Sequence, residues 1–312
     1  MTEENQKNKY FNFKKLLNDE LKFTHYSFSL LDKEKNIIAN LNSIESQVYP
    51  KEKFEVIYVN DSSEDNSLDL ITKNVKKDNF RILTLPENYS INAHKKRAVR
   101  YGIENARGQI IVTTDADCIH HKEWLLSLIQ CFDSLTGFVS GPVEFYAGNN
   151  LFSKFQRLEF AGLVLCGAGL IGAGHPTICN AANIAYRKKV FDEVGGYKDQ
   201  MNLSSGDDEL LMQKIAKDSD FKVKFCINKN AIVKTSANKT IADFYQQRKR
   251  WASKGLFYSD KSLVLKLLLI YLFYVSLIAQ FIFAFVIHQV FFVSFITSFV
   301  AKLLLELRVL LT

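Results

Sequence analysis

Asp115 and Asp117 stand one residue apart where an apolar run stops. The run, Gln109 to Thr114, is short and β-branched, which predicts a buried strand. Carboxylates just beyond such a strand lie where open α/β sheets bind ligands. At i and i+2 they can face one hard cation, which keeps coordination positions free for phosphate oxygens. A metal clamp for a diphosphate fits these residues, and an Asx-type turn would use them too. Asp61 repeats the pattern, following the apolar run FEVIYV at the start of a polar turn. Asp207, Asp208 and Glu209 open a predicted helix. The helix dipole favours acids there, and it keeps a carboxylate ionised, the state a general base requires.

The elements that would position these groups alternate. Strands are predicted over His25–Leu31, Phe54–Val59, Phe80–Leu85 and Gln109–Thr114. Between them come a helix over Glu34–Gln47, one carrying Leu68, Ile71 and Val75, and a basic helix over Ala93–Ala106. Such alternation predicts a doubly wound α/β domain with ligand groups at the strand ends, at Asp61, Asp115 and Asp117. Further on, a helix is expected over Glu123–Phe132, a strand over Gly137–Tyr146 with a Gly-Pro interruption, and another strand at the end of Thr177–Arg187. Lys189–Tyr197 reads as a short helix, Phe221–Ile227 as a strand and Thr240–Gly255 as the last helix before the apolar region. Gly167, Gly169 and Gly172 spell GxGxxG, but Gly174 and Pro176 leave no room for the helix a dinucleotide site needs. A flexible or closely packed segment is expected there instead.

From Leu267 to Ile287 no residue is charged, and the stretch is long enough to cross a bilayer as a helix. Val290–Leu311 is also apolar but holds Lys302, Glu306 and Arg308, so a second span, a re-entrant piece and an interfacial helix all fit. Arg248, Lys249, Arg250, Lys254, Lys261 and Lys266 precede the first span, which by the positive-inside rule puts residues 1 to about 262 in the cytoplasm. The opening MTEENQKNKYFNFKK is polar and basic, and no signal peptide is expected. The organisation read from this is a polar tail (1–24), an α/β domain (25–258) and a membrane region (262–312, with the span at 267–287). A net charge of +7 suits an anionic leaflet. The lysines are scattered rather than gathered with aromatics, which argues against nucleic acid. Five cysteines without a CxxC pair read as reduced packing residues, and His94, His120, His121 and His175 as packed or solvated rather than metal-bound.

Five stretches, taken in order, resemble the inverting family 2 glycosyltransferases of GT-A fold, in particular membrane-bound members related to cellulose synthase and poly-N-acetylglucosamine synthase. They are VNDSSEDNS (59–67), AHKKRAVRYGIENARGQIIVTTDADC (93–118), CNAANIAYRKKVFDEVGGY (179–197), GDDELL (206–211) and QRKRW (247–251). The resemblance implies a GT-A, nucleotide-diphospho-sugar-transferase domain with a mixed sheet, followed by a C-terminal transmembrane helix or helical hairpin. It implies that Asp61 binds the nucleoside of a nucleotide sugar and that Lys95 approaches its base or phosphates. Asp115 and Asp117 match the DxD motif, the second being the usual metal ligand, with Mn²⁺ or Mg²⁺ as cofactor. Asp208 matches the catalytic base, and Asp207 stands beside it in the substrate-binding motif. Gln247, Arg250 and Trp251 match QxxRW, whose polar residues serve the diphosphate and whose Trp borders the acceptor sugar; an interfacial Trp without a ligand would look the same. Two departures touch the nucleoside contacts: SLLDKEKN stands where the family shows a Pro and an Asn-Glu pair, and Asn60 replaces a frequent Asp.

The implied partners are a nucleotide-sugar donor, a lipid-linked or glycan acceptor, membrane lipids and other synthase subunits. The implied reaction is one displacement at the anomeric carbon with inversion. The membrane part is shorter than in processive synthases. That shortness and the two departures also fit a non-catalytic nucleotide-sugar sensor or a partner subunit of a larger synthase.

Overall fold

Phe54–Asn60 is buried at every position, as expected of a strand covered on both faces of a largely parallel sheet. In a computed structural model, which describes residues 24–30, 34, 36–86, 89, 94–146, 148–197, 208–253 and 261–311, this strand lies inside a seven-stranded mixed sheet. In chain order the sheet contains β1 (Thr24–Leu30), β2 (Phe54–Asn60), β3 (Phe80–Thr84), β4 (Ile110–Thr113), β6 (Thr136–Ser140), β8 (Ile184–Arg187) and β9 (Lys222–Phe225). Their spatial order is β3-β2-β1-β4-β8-β6-β9. The first four run parallel, and β8 runs antiparallel to both β4 and β6. A second sheet, β5-β10-β7, is built from β5 (Ile119–His120), β7 (Val143–Phe145) and β10 (Val233–Thr235).

Helices cover the large sheet. In α1 (Ile37–Glu45), Ile37, Leu41 and Ile44 recur at helical spacing and are buried. α2 (Ser67–Asn74) joins β2 to β3, and α3 (His94–Glu104) packs on β1 and β2. α4 (Trp124–Ile129) buries Trp124, Leu125 and Leu128. α6 (Lys188–Glu193) and α7 (Glu209–Asp218) close a core in which Val99, Ile111, Phe138, Tyr186, Val190, Leu211 and Met212 meet. The predicted tail lies outside the described residues up to position 23.

Two local expectations change. Gly137–Tyr146 is not one interrupted strand: at Gly141–Pro142 the chain leaves the large sheet as β6 and enters the small one as β7. Proline cannot donate to a ladder, so the interruption marks a change of sheet. The glycines 167, 169 and 172 lie inside a helix, α5 (Leu151–Gly172), started by Asn150, whose Oδ1 accepts the Ser153 N–H at 2.7 Å. Leucines and alanines outweigh the glycines in helix propensity. Gly167 does have a packing reason, since a Cβ there would stand 2.8 Å from the Ile178 carbonyl oxygen.

The chain forms two compact units, divided between Arg248 and Lys249 along α8 (Ile241–Ser253). The second holds α9 (Lys261–Val286) and α10 (Val290–Leu311), an antiparallel hairpin joined at His288. Aromatic contacts tie the two helices, Phe283 to Phe291 at 5.6 Å and Phe281 to Phe295 at 5.5 Å. Among the described residues, α5 and the Val264–Val286 part of α9 are long and apolar enough to cross a membrane, while α10 contributes the shorter apolar run Val290–Leu305. α5 belongs to the first unit, where Gln156, Phe160, Gly167 and Ile171 are buried.

Candidate active site

β1, β2 and β4 run parallel, so their carboxyl ends share one edge of the sheet. Asp61 follows β2 and Asp115 follows β4, with β1 between them, a separation of about two strand spacings or 10 Å. Asp61 is buried, and its Oδ1 accepts the Arg97 Nε–H at 2.8 Å and a second bond from Arg97 Nη2. Immediately after it, Ser62 takes a left-handed φ of 58°, a backbone state that tends to cluster at functional turns. Arg97 was not singled out in the sequence. Four positions of α3 are lysine or arginine, and only the fold shows which one turns to Asp61. Lys95 lies in the same helix, and its side chain is outside the described part.

The Asp-Ala-Asp turn is braced from behind. The Cys118 N–H closes it on the Asp115 carbonyl at 3.0 Å. Asn40, fully buried in α1, donates to the Cys118 carbonyl at 2.8 Å and to that of Asp115 at 3.4 Å. Tyr58 donates to the Asn40 Oδ1 at 3.0 Å, which fixes the amide's orientation. His120 adds a second brace, with Nε2 2.9 Å from Thr114 Oγ1 and Nδ1 3.0 Å from Ser43 Oγ. Ser43 spends its proton on the Asn40 carbonyl, so His120 carries its own on Nδ1. Burial lowers this imidazole to about 3, and it stays neutral against Trp124.

Asp115, Asp117 and Cys118 each offer a ligand atom within 4.8 Å of the others. Burial, and then the charges of Asp115 and Asp117, push the Cys118 thiol well above its ordinary value. It stays protonated, and the two carboxylates remain as hard oxygen donors. That donor set fits Mn²⁺ or Mg²⁺ and leaves coordination positions for other oxygens.

Asp208 caps α7. Its Oδ1 accepts the Glu209 N–H at 2.8 Å and its Oδ2 the Ala181 N–H at 2.9 Å. The Ala181 carbonyl in turn accepts Thr113 Oγ1 at 3.3 Å, so Asp208 is two hydrogen bonds from the last residue of β4. Asp207 lies outside the described residues. The turn carrying Ala181 is held by Asn183, which donates to the Pro142 and Ala231 carbonyls and accepts from Trp124 Nε1.

Gln247 is not at this edge through any described contact. Its Oε1 accepts from Asn238 at 2.8 Å and Arg248 at 2.6 Å, and Asn238 is bonded to Gln156 of α5. Arg250 and Trp251 fall in the second unit, Arg250 exposed and Trp251 half-buried. A surface cavity of about 560 Å³ lies at the opposite, amino edge of the sheet around Lys51, Glu55, Arg81 and Arg107. The carboxylates stand at the carboxyl edge, where open α/β sheets bind their ligands.

Residues 29–195, more than half of the chain, match the profile described as Glycosyl transferase family 2. The chain belongs to glycosyl transferase family 2. It is 26% identical over 208 residues to the glycosyltransferase AglE of Haloferax volcanii, covering 66% of this chain and 64% of that protein. To the poly-beta-1,6-N-acetyl-D-glucosamine synthase of Staphylococcus aureus it is 26% identical over 247 residues, 76% of this chain and 55% of the relative. The chain thus spans roughly half to two thirds of the length of these relatives. Among solved structures, the mannosyltransferase PcManGT of Pyrobaculum calidifontis, in complex with GDP-Man and Mn²⁺, superposes with a TM-score of 0.55 at 19% identity, covering 77% of this chain and 67% of that one. S. aureus TarS 1-349 with UDP-GlcNAc gives 0.52 at 21% identity, covering 77% and 68%. The likeness shows that the first unit has the GT-A fold of these transferases.

Proposed function

We propose that this chain transfers a sugar from a nucleotide sugar, a UDP-sugar in the first instance, to a lipid-linked or glycan acceptor at the cytoplasmic face of the cell membrane, with inversion. The observation that carries the reading is that Asp61 and the Asp115–Asp117 pair follow the carboxyl ends of β2 and β4, with Asp208 linked through Ala181 to the last residue of β4. The nucleotide-bound GT-A neighbours and the family match support a nucleotide-sugar donor.

Asp117, with Asp115, would hold the divalent cation, which when bound supplies Lewis-acid stabilisation of the charge that builds on the leaving diphosphate. Asp61, positioned by Arg97, serves the nucleoside, with Lys95 nearby in sequence. Asp208 receives the proton of the acceptor hydroxyl as that oxygen attacks the anomeric carbon. Two backbone N–H bonds, from Glu209 and Ala181, hold its carboxylate in place. One base and one displacement invert the configuration. Arg250 and Trp251 enter on their motif alone, as a phosphate ligand and an acceptor-sugar platform, as does Gln247. The membrane side follows from the basic residues ahead of α9.

Incubating membranes that carry the protein with candidate nucleotide sugars and Mn²⁺ or Mg²⁺ tests this. Asp208→Asn is expected to lower transfer by about a hundredfold or more, the usual contribution of a positioned base. Undiminished transfer would remove Asp208 from the role. The engagement of both Asp208 oxygens, one capping α7 and one on the Ala181 N–H, favours one other reading, a nucleotide-sugar-binding subunit of a larger synthase. Tight UDP binding with neither turnover nor hydrolysis would select it.

A further inference from the structure

Tyr146 stands one residue beyond β7, in the small sheet that continues from the Asp-Ala-Asp turn. β5 runs antiparallel to β10, with His120 opposite Val233 and Ile119 opposite Lys234. β10 runs parallel to β7, with Lys234 beside Glu144 and Thr235 beside Phe145. Carried one residue past the ladders, the first register sets Cys118 level with Thr235 and the second sets Ser236 level with Tyr146. The Tyr146 N–H donates to the Thr235 carbonyl at 2.9 Å, so the chain holds this course. β5 begins directly after the Asp-Ala-Asp turn, so Tyr146 stands two strands from the residue that closes that turn.

The phenol's surroundings agree with that placement. Its hydroxyl oxygen is buried and has no hydrogen-bond partner among the described residues. Burial first, then the fields of Cys118 and Asp117, push the phenol up to about 12, so it stays a protonated donor at neutral pH. A hydroxyl donor buried without an acceptor is costly to keep. Beside a carboxylate that shares a cation with phosphate oxygens, the acceptor within its reach is a phosphate oxygen.

We propose that the Tyr146 hydroxyl is a donor-binding group, donating a hydrogen bond to an oxygen of the diphosphate held at Asp117. The proposal rests on the nucleotide-sugar reading above and adds a residue that no motif marks.

The test compares full-length wild-type protein with Tyr146→Phe, using calorimetric titration with UDP and with UMP in the presence of Mn²⁺, alongside thermal unfolding without nucleotide. UDP affinity is expected to fall about tenfold in the variant while UMP affinity holds, because a hydrogen bond to a charged acceptor is lost only where the second phosphate is present. The unliganded variant should melt at the same or a higher temperature, since the change deletes an unsatisfied buried hydroxyl. Unchanged UDP affinity would overturn the assignment. So would a lower melting temperature with equal losses for UDP and UMP, which is the mark of a structural side chain. Failure of the wild-type chain to bind either UDP or GDP would instead overturn the donor reading and this proposal with it.

Discussion

His120 shows how a buried residue behind the candidate site braces the chain that carries it. Its ring joins Thr114, at the end of the β4 run, to Ser43 of α1, and it does so only while neutral. The imidazole is lowered from 6.5 to about 3 by burial, so between those values the unfolded chain binds a proton that the folded chain refuses. Stability is therefore complete above pH 6.5 and lost progressively as pH falls toward 3. From pH 7.5 to pH 5 the loss is about 2 kcal/mol, one and a half units at 1.36 kcal/mol each. Melting curves over that range should show the slope in wild type and lose it in His120→Gln; an equal slope in both would assign the effect elsewhere. At this scale the sequence makes the carboxylates of the proposed site legible. Asp61, Asp115 and Asp117 were visible because a carboxylate directly after an apolar run is conspicuous. Asn40, Arg97 and His120, which hold them, were not. Their roles depend on contacts such as Asn40 to Cys118, 78 positions apart, and local pattern carries no trace of these.

Elements were legible in proportion to their burial. β2 and β4 were clear, because burial on both faces demands an unbroken apolar run. α5 was obscured by glycines, and the β6–β7 break was misread because the reason for Gly141 lies in another element. A Cβ at Gly141 would come within 2.4 Å of the Asn183 amide nitrogen. That amide joins β6, β8, α4 and the small sheet through Pro142, Trp124 and Ala231. Asn183→Ala would strand the Trp124 indole N–H and remove a donor from two carbonyls, at about 3 kcal/mol in all. Gly141→Ala should cost a similar amount by displacing the same amide. Each is expected to lower the melting midpoint of the first unit by on the order of 10 °C, and a shift under about 2 °C would mean that the turn relaxes around the change. Since Ala181 in that turn binds Asp208, both variants should also lose transferase activity at temperatures where they remain folded.

For the molecule as a whole, the question is what the second unit does with so much exposed apolar surface. α9 has 26 residues, about 39 Å at helical rise, against a hydrocarbon core of about 30 Å. α10 returns beside it, and its Lys302 ammonium sits 5.8 Å from the Tyr274 ring, so the one cation midway along the hairpin meets an aromatic face. Basic residues crowd the approach to α9, while the connection at its far end offers only His288. A spanning hairpin with that charge bias places His288 on the outer side of the membrane. In intact cells, His288→Cys should react with a membrane-impermeant maleimide, whereas the native Cys166, exposed on the first unit, should react only after permeabilisation. Labelling at both positions from the same side would show that α9 and α10 enter and leave by one face. That result would replace a spanning hairpin by a re-entrant or interfacial one, because two apolar helices joined by an exposed turn can bury their surface in lipid without carrying the turn across.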